Sequence, residues 1–68
     1  MFELRNNIVV YRRRRNLSQS DLAELCGVSR NTISSIECHK AIPSTFLAAV
    51  ICDVFGCKFE DLFSLCES

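Results

Sequence analysis

Cysteine and histidine side chains are the groups in this 68-residue sequence that could bind a metal, form disulfides or act as nucleophiles. The five cysteines are Cys26, Cys38, Cys52, Cys57 and Cys66. Their count is odd, and no pair has the C-x2-C spacing of a zinc knuckle. The one histidine, His39, directly follows Cys38, and adjacent residues cannot easily hold one ion in tetrahedral geometry. We therefore expect reduced cysteines that act as small hydrophobic residues, with no metal and no cofactor.

A second group of polar side chains could form hydrogen bonds with the edges of nucleic-acid bases. It consists of short donors and acceptors and one basic residue, without an acid. Its members are Ser29, Arg30, Asn31, Ser34 and Ser35. In the major groove of DNA, asparagine can bond adenine, and arginine can bond guanine through two hydrogen bonds. The same pattern would also suit an ordinary polar surface, so its meaning depends on the elements that carry it.

Two capped helices joined by a tight turn are predicted over residues 18–37. Ser18 is followed three positions later by Asp21, which is the pattern of a helix N-terminus. Gly27 would end this helix, because glycine adopts the positive φ of such a turn without strain. Ser29 would then cap a second helix, with its isoleucines facing inward and the polar group facing outward.

Three further helices are expected from apolar periodicity, caps and helix breakers. They are a first helix capped by Asn6 or Asn7 and running to Asn16, a fourth opened by Pro43 and Ser44 and ended by Gly56, and a short fifth that includes Phe59, Leu62 and Phe63. Five short helices with brief connections predict an all-α orthogonal bundle. Short alternating segments at residues 1–4 and 64–66 could each add a strand.

Charge is distributed unevenly, although the net charge is zero. Residues 1–40 contain seven basic and four acidic side chains, whereas residues 41–68 contain one basic and four acidic side chains. The resulting balance of +3 against −3 favours an anionic partner at one end of the molecule. The sequence has no uncharged apolar run of the roughly 18 residues that a membrane span requires. We expect no signal peptide, because no basic stretch followed by an apolar segment opens the sequence. We therefore expect one cytoplasmic domain over residues 1–68, with no membrane partner.

The order of these motifs resembles the Cro/CI-type helix-turn-helix family, which includes the phage repressors. The matching motifs are Leu-Ser-Gln-x-x-Leu-Ala at 17–23, Gly-Val-Ser-Arg-x-Thr-Ile-Ser at 27–34, Ile-Glu at 36–37, Pro-Ser at 43–44 and Phe-Gly-x-x-x-Glu-Asp-Leu-Phe at 55–63. The resemblance covers most of the chain. It implies a five-helix bundle of the lambda-repressor-like type. It also implies a transcriptional regulator, expected to be a repressor, that binds a near-palindromic operator in double-stranded DNA as a homodimer.

The resemblance also implies roles for individual residues. The positions that match base-reading or groove-facing residues are Arg30, Asn31, Ser34 and Ser35. The residues expected to contact the DNA backbone are Ser18, Gln19, Ser29 and Lys40, and Gln19 would also brace the recognition helix. Phosphate contacts of this kind position a domain, while base contacts specify the site. Arg12 and Glu37 match a partly buried ion pair that ties the first helix to the third.

Two departures from the family pattern lie outside the recognition face. Cys38 and His39 occupy the positions of a usual Asn-Gly pair, so a phosphate contact of that asparagine is lost. His39 is then expected to adopt positive φ, which is uncommon for a residue other than glycine. Lys58 replaces the usual cap before the last helix, which should weaken that helix.

Two other classes of function, an enzyme and a protein-interaction module, are alternatives to DNA binding. An enzyme is not expected, because the single histidine has no obvious third partner and a glycine-rich phosphate loop is missing. A chain of this length also seldom encloses a substrate pocket, so no small-molecule substrate is evident. A protein-interaction module, such as an antitoxin or an anti-repressor, could use the same fold, and fold alone does not separate it from a DNA reader.

An apolar pair is left over when the stripe of the fourth helix is assigned to the core. Phe46 and Val50 lie four residues apart on the other side of that helix, where this family more often has polar residues. Together with Phe63 and Leu65 they form a predicted homodimer interface, since a monomer has little reason to keep such a patch. The alternative is that Phe46 folds back onto the core of its own chain and that the chain ends are frayed.

Overall fold

The computed structural model describes residues 1–67. This part of the chain contains five helices and two strands. In chain order they are β1 (Phe2–Asn6), α1 (Ile8–Arg14), α2 (Gln19–Cys26), α3 (Arg30–Glu37), α4 (Thr45–Phe55), α5 (Phe59–Leu62) and β2 (Phe63–Glu67). The fold is therefore mostly helical, with five helices as expected and a short two-stranded sheet. Within residues 1–67, every helix is too short or too polar to cross a membrane.

The predicted caps of α2 and α3 are confirmed. The hydroxyl of Ser18 accepts from the backbone N–H of Asp21 at 3.0 Å, and the carboxylate of Asp21 accepts from the backbone N–H of Ser18 at 2.9 Å. Gly27 ends α2 with φ of 72°, and the hydroxyl of Ser29 accepts from the backbone N–H of Thr32 at 3.2 Å. Local hydrogen bonds thus set both ends of the turn between α2 and α3.

The capping box at α2 is sensitive to pH. The backbone N–H of Ser18, and then its side chain, hold the pKa of Asp21 below its ordinary value of 3.8. A carboxyl whose pKa is lowered by folding stabilises the native state above its unfolded pKa. Its contribution is lost as the pH falls through the lowered value, so acidification should loosen the start of α2.

The core lies where the five helices meet. Its fully buried large side chains are Ile8, Leu22, Ile33, Ile36, Ile51 and Leu62. Ile33 and Ile36 of α3 are three residues apart, the helical spacing that apolar periodicity predicts. Cys52 is buried with them and Cys26 packs against them, so both cysteines occupy interior positions as expected.

The end of α1 differs from the prediction. The helix stops at Arg14 rather than Asn16, because Asn16 adopts φ of 56° and turns the chain toward α2. The guanidinium of Arg15 instead reaches α4, where it donates to the carbonyls of Val54 at 2.9 Å and Phe55 at 2.6 Å. A cation at these unpaired carbonyls is favoured by the helix dipole.

The end of α5 also differs from the prediction. Phe63 was expected in this helix, yet it begins β2 with extended backbone. At the start of α5, Lys58 makes no side-chain cap, as predicted, and its backbone N–H is accepted by the carboxylate of Asp61 at 3.3 Å. A helix of four residues with one weak cap leaves the chain free to turn directly into the strand.

The chain ends pair as an antiparallel sheet that is longer than the two predicted segments. Phe2 pairs with Glu67, Leu4 with Leu65, and Asn6 with Phe63. Asn6 also joins the sheet to the helices, since its amide donates to the carbonyl of Ile36 at 3.0 Å and accepts from the backbone N–H of Ile8 at 3.2 Å. Of the two candidate caps, Asn7 holds the N-cap position of α1, while Asn6 makes the hydrogen bond.

Replacing the cap of α2 tests how much of the stability is local. Ser18→Ala leaves the N–H of Asp21 without its acceptor, so we expect the free energy of unfolding to fall by about 1 kcal/mol. Ser20→Ala is the matched control, because Ser20 is exposed inside α2. Urea unfolding followed by circular dichroism at pH 7 measures both. Equal losses in the two variants would show that the cap contributes nothing specific.

Candidate nucleic-acid interface

The outer face of α3 carries the predicted base-reading residues. Arg30 and Asn31 are exposed in its first turn, and Ser34 and Ser35 are half-buried one turn later. The opposite face is anchored by fully buried isoleucines, so α3 presents one polar side to solvent. A guanidinium N–H of Arg30 donates to the side-chain oxygen of Asn31 at 3.3 Å. The two side chains with the greatest capacity to read bases therefore touch each other.

A buried ion pair joins α1 to the end of α3. Nε of Arg12 donates to Oε2 of Glu37 at 2.8 Å, and a terminal guanidinium nitrogen lies 3.3 Å from Oε1. The side chains are 13% and 4% exposed, so the pair is well shielded from water. The other terminal nitrogen of Arg12 donates to the carbonyl of Leu17 at 2.9 Å, just before α2. One guanidinium thus positions three elements.

Gln19 connects this ion pair to Arg30, one of the predicted base-reading residues on the outer face of α3. Its side-chain nitrogen donates to Oε1 of Glu37 at 2.9 Å, and its side-chain oxygen accepts from the guanidinium of Arg30 at 3.2 Å. The bond between Gln19 and Glu37 was not anticipated from the sequence. The spacing alone gives no signal for it, because the two residues lie in different helices. A continuous chain of hydrogen bonds therefore runs from Arg12 to Asn31.

The predicted backbone-contacting residues surround this face on several segments. Ser18 and Ser29 are exposed at the N-termini of α2 and α3, where both hydroxyls serve as caps. Lys40 is exposed just after α3, and its backbone N–H donates to the carbonyl of Ser35 at 2.8 Å. His39, which lies between the end of α3 and Lys40, adopts φ of 61°, as its place in the family pattern predicts. Exposed N–H groups and hydroxyls at helix N-termini suit an anionic partner.

The basic run at the end of α1 is divided among different tasks. Arg12 belongs to the ion pair, and Arg15 caps the C-terminus of α4. Arg14 lies over the ring of Tyr11 at 5.7 Å. Arg13 is exposed on the surface of α1. Composition alone could not separate these four residues, because the partners of Arg12 and Arg15 lie far along the chain.

The residues of the predicted dimer interface do not all lie on one surface. Phe46 is 78% exposed and Leu65 is 69% exposed, while Val50 is half-buried. Phe63 is only 4% exposed and packs edge-on against Phe59 at a ring distance of 4.9 Å. Phe63 therefore belongs to the core and not to the predicted interface, because the start of β2 turns its side chain inward. The exposure of Phe46 also excludes its folding back onto its own core.

The cysteines are free thiols in residues 1–67, and that part of the chain contains no group of three metal-ligating side chains. Burial raises the pKa of Cys26. Burial, and then the neighbouring Cys57, raise the pKa of Cys52. A raised thiol pKa lowers the reactive thiolate fraction, which fits a packing role for these two residues.

Comparison with known families decides the assignment. The helix-turn-helix family profile matches residues 10–62, which include the whole of α2 and α3. The chain belongs to the Cro/CI-type helix-turn-helix family. It is 48% identical over 60 residues to MJ0272 of Methanocaldococcus jannaschii, an uncharacterised HTH-type transcriptional regulator, over 88% of this chain and 91% of that protein. It is 41% identical over 64 residues to YgzD of Bacillus subtilis, described in the same words, over 94% of this chain and 97% of YgzD.

Solved structures agree with this family at the level of the fold. The clp gene regulator ClgR from Corynebacterium glutamicum superposes with a TM-score of 0.73 at 26% identity, over 79% of this chain and 57% of that one. The transcriptional regulator VanUg superposes with a TM-score of 0.79 at 20% identity, over 98% of this chain and 89% of that one. The family assigns DNA-binding regulation to this helix-turn-helix protein.

A double-mutant cycle tests the ion pair between Arg12 and Glu37. Removing either side chain leaves a buried charge without its partner, so each single alanine variant should lose about 3 kcal/mol of unfolding free energy. The double variant should lose clearly less than the sum. The unfolding free energies of the two single variants and of the double variant are measured by urea unfolding in the presence of a stabilising osmolyte, which keeps weakened variants folded.

The exposed pair of Arg5 and Glu3, separated by 3.7 Å, is the matched control for this cycle. Arg5→Ala should cost less than about 1 kcal/mol, as is usual for surface pairs. Additive losses at Arg12 and Glu37 that are no larger than those at the control pair would contradict the structural role given to the ion pair.

Proposed function

We propose that this helix-turn-helix protein is a sequence-specific repressor that binds a near-palindromic operator in double-stranded DNA as a homodimer. The observation that carries the proposal is the exposed pair of Arg30 and Asn31 at the tip of α3. Hydrogen bonds through Gln19 and Glu37 hold that tip to the body of the protein. A pre-positioned pair of this kind loses less conformational freedom on binding than two free side chains would.

Base reading begins with Arg30 and Asn31 and continues with Ser34 and Ser35 deeper on the same face. The contacts that Arg30 makes in the free protein are exposed and of moderate length, so they can be exchanged for base edges at little cost. Arginine selects guanine and asparagine selects adenine through paired hydrogen bonds. The two serines supply short donors and acceptors where a longer side chain would hold the helix away from the groove.

Contacts with the phosphate backbone position this face on the duplex. The proposed residues are Ser18, Gln19, Ser29 and Lys40. The N-termini of α2 and α3 favour phosphate through their unpaired N–H groups, and Lys40 adds a positive charge beside the end of α3. Such contacts carry little sequence information of their own, but they fix the depth and angle of the recognition helix.

Two copies of the protein would place two α3 helices in successive major grooves about 34 Å apart, which matches a near-palindromic operator. Repression needs only occupancy of such a site, whereas activation needs an added contact with the transcription machinery. The orthogonal, lambda-repressor-like packing of the helices and a cytoplasmic location belong to the same proposal. In this proposal the protein works by binding and catalyses no reaction.

DNA binding is tested with fragments selected from random DNA by the purified protein. Wild-type binding should weaken with salt along a log–log slope of about −4 to −7, as expected for four to eight neutralised phosphates. Arg30→Ala and Asn31→Ala should each cost about 1–3 kcal/mol on the selected site and relax its base preference. Gln19→Ala should weaken binding to all sequences, with a smaller change in preference.

Arg5→Ala is the matched control for Arg30→Ala, because it removes an exposed arginine from β1 and should leave the DNA affinity nearly unchanged. A selected complex that tolerates alanine at all four base-reading positions together would contradict the assignment of α3. Salt-independent, weak DNA binding by the wild type would indicate a protein-interaction module instead.

A further inference from the structure

The outer side of α4 is apolar over its first two turns, and its one charged residue is Asp53 near the C-terminal end. Residues 41–52 contain no charged side chain. Within this segment Ile42 is 79% exposed, and Phe46 projects from the first turn of α4 into solvent. Exposed apolar side chains this close together on a small protein indicate a surface that is covered when the protein works.

A half-open cavity of about 610 Å³ lies beside Phe46. The small residues Ala48 and Ala49 of α4 line it, together with Cys52 and, at its polar edge, Asp53; Leu4 of β1 and Phe59 bound it from the other elements. Its walls are mostly apolar and its volume exceeds that of a phenylalanine side chain. The cavity is therefore suited to an inserted apolar side chain.

The ring of Phe46 and the residues that line the cavity lie side by side on the surface of α4. Phe46 and Ala49 are three residues apart, so they are neighbours on the surface of α4. Phe46 is nevertheless exposed and does not line the cavity of its own chain. A projection beside a matching recess on one element is the arrangement that a two-fold axis satisfies twice, because each copy offers both halves.

We propose that two copies of this protein pair through antiparallel α4 helices about a two-fold axis near Ala49, with Phe46 of each copy filling the cavity of the other. The inference deepens the proposed function, since it rests on the homodimer proposed there. In this register Phe46 lies level with the partner's Cys52, which lines the cavity. Ala49 meets its own symmetry copy, and its small side chain lets the two helices approach closely.

The charges on α4 favour the same register. Asp53 is exposed and is the one charged residue of α4. With the axis near Ala49, Asp53 lies level with Thr45 of the partner subunit. The hydroxyl of Thr45 can donate to the carboxylate, so no acid faces another acid across the axis. The remaining acids of the C-terminal half lie after α4 in the chain.

Self-association without DNA tests the insertion of Phe46. Sedimentation of the wild type at micromolar concentration should show a dimer. Phe46→Ala should weaken that dimer at least tenfold, because it empties both cavities. Leu25→Ala is the matched control, since Leu25 is 58% exposed on α2 and its removal should leave dimerisation unchanged. A monomeric wild type, or a Phe46→Ala dimer as tight as the wild type, overturns the proposed interface.

A pair of opposite charges at one position tests the register. Thr45→Lys should tighten the dimer several-fold by pairing with the partner's Asp53, and Thr45→Glu should weaken it. Added salt should reduce both effects. Residues 45 and 53 of one chain are two helical turns apart, so the effect cannot arise within one helix. Ser20→Lys and Ser20→Glu, on exposed α2, control for the change in net charge; equal behaviour of the two Thr45 variants overturns the register.

The DNA affinity for a single half-site separates failure of this interface from failure of the proposed function. Monomeric Phe46→Ala should bind one half-site as tightly as the wild-type protomer does, while losing at least tenfold on the full operator. A wild type that binds DNA but sediments as a monomer overturns the interface and leaves the DNA-binding proposal standing. A wild type that dimerises through Phe46 but binds no DNA does the reverse.

Discussion

The arrangement of α1, α2 and α3 depends on the hydrogen bonds and the ion pair made by the carboxylate of Glu37. It is a buried charge in the last turn of α3, where the helix dipole disfavours an anion. Its presence there requires compensation, which comes from the guanidinium of Arg12 and the amide of Gln19. Each of these partners comes from a different helix. The contacts that compensate the charge of Glu37 therefore join the three helices, in addition to their apolar contacts.

The same requirement links stability to recognition. Gln19 has one amide group, and its nitrogen donates to Glu37, so its oxygen is left to accept from Arg30. The position of Arg30, the first of the predicted base-reading residues on α3, is thus set by an ion pair formed with α1. A DNA-binding protein of this size gains from such sharing, because few residues are available for separate supporting contacts.

Asn6 and Arg15 make comparable contacts between other elements of the fold. Asn6 of β1 donates to the carbonyl of Ile36, next to Glu37, and Arg15 donates to the last carbonyls of α4. The sheet of the chain ends is thereby fixed against α3, and α1 against α4. These contacts keep α4 in place, so that Phe46 remains exposed beside the cavity while α3 presents its polar side to solvent.

Features that depend on neighbouring residues along the chain could be predicted from the sequence. Ser18, Ser29 and Gly27 could be assigned to caps and a turn, because their hydrogen bonds and backbone angles involve residues within four positions. Helical periodicity identified the buried isoleucines of α3 for the same reason, and the family pattern located the recognition face. Three features could be seen only in the folded chain: which of four consecutive arginines reaches α4, that Gln19 bonds to Glu37, and that Phe63 turns inward. Those contacts join residues that are distant in sequence, or depend on the direction in which a short element leaves the core, and packing of the whole chain sets both.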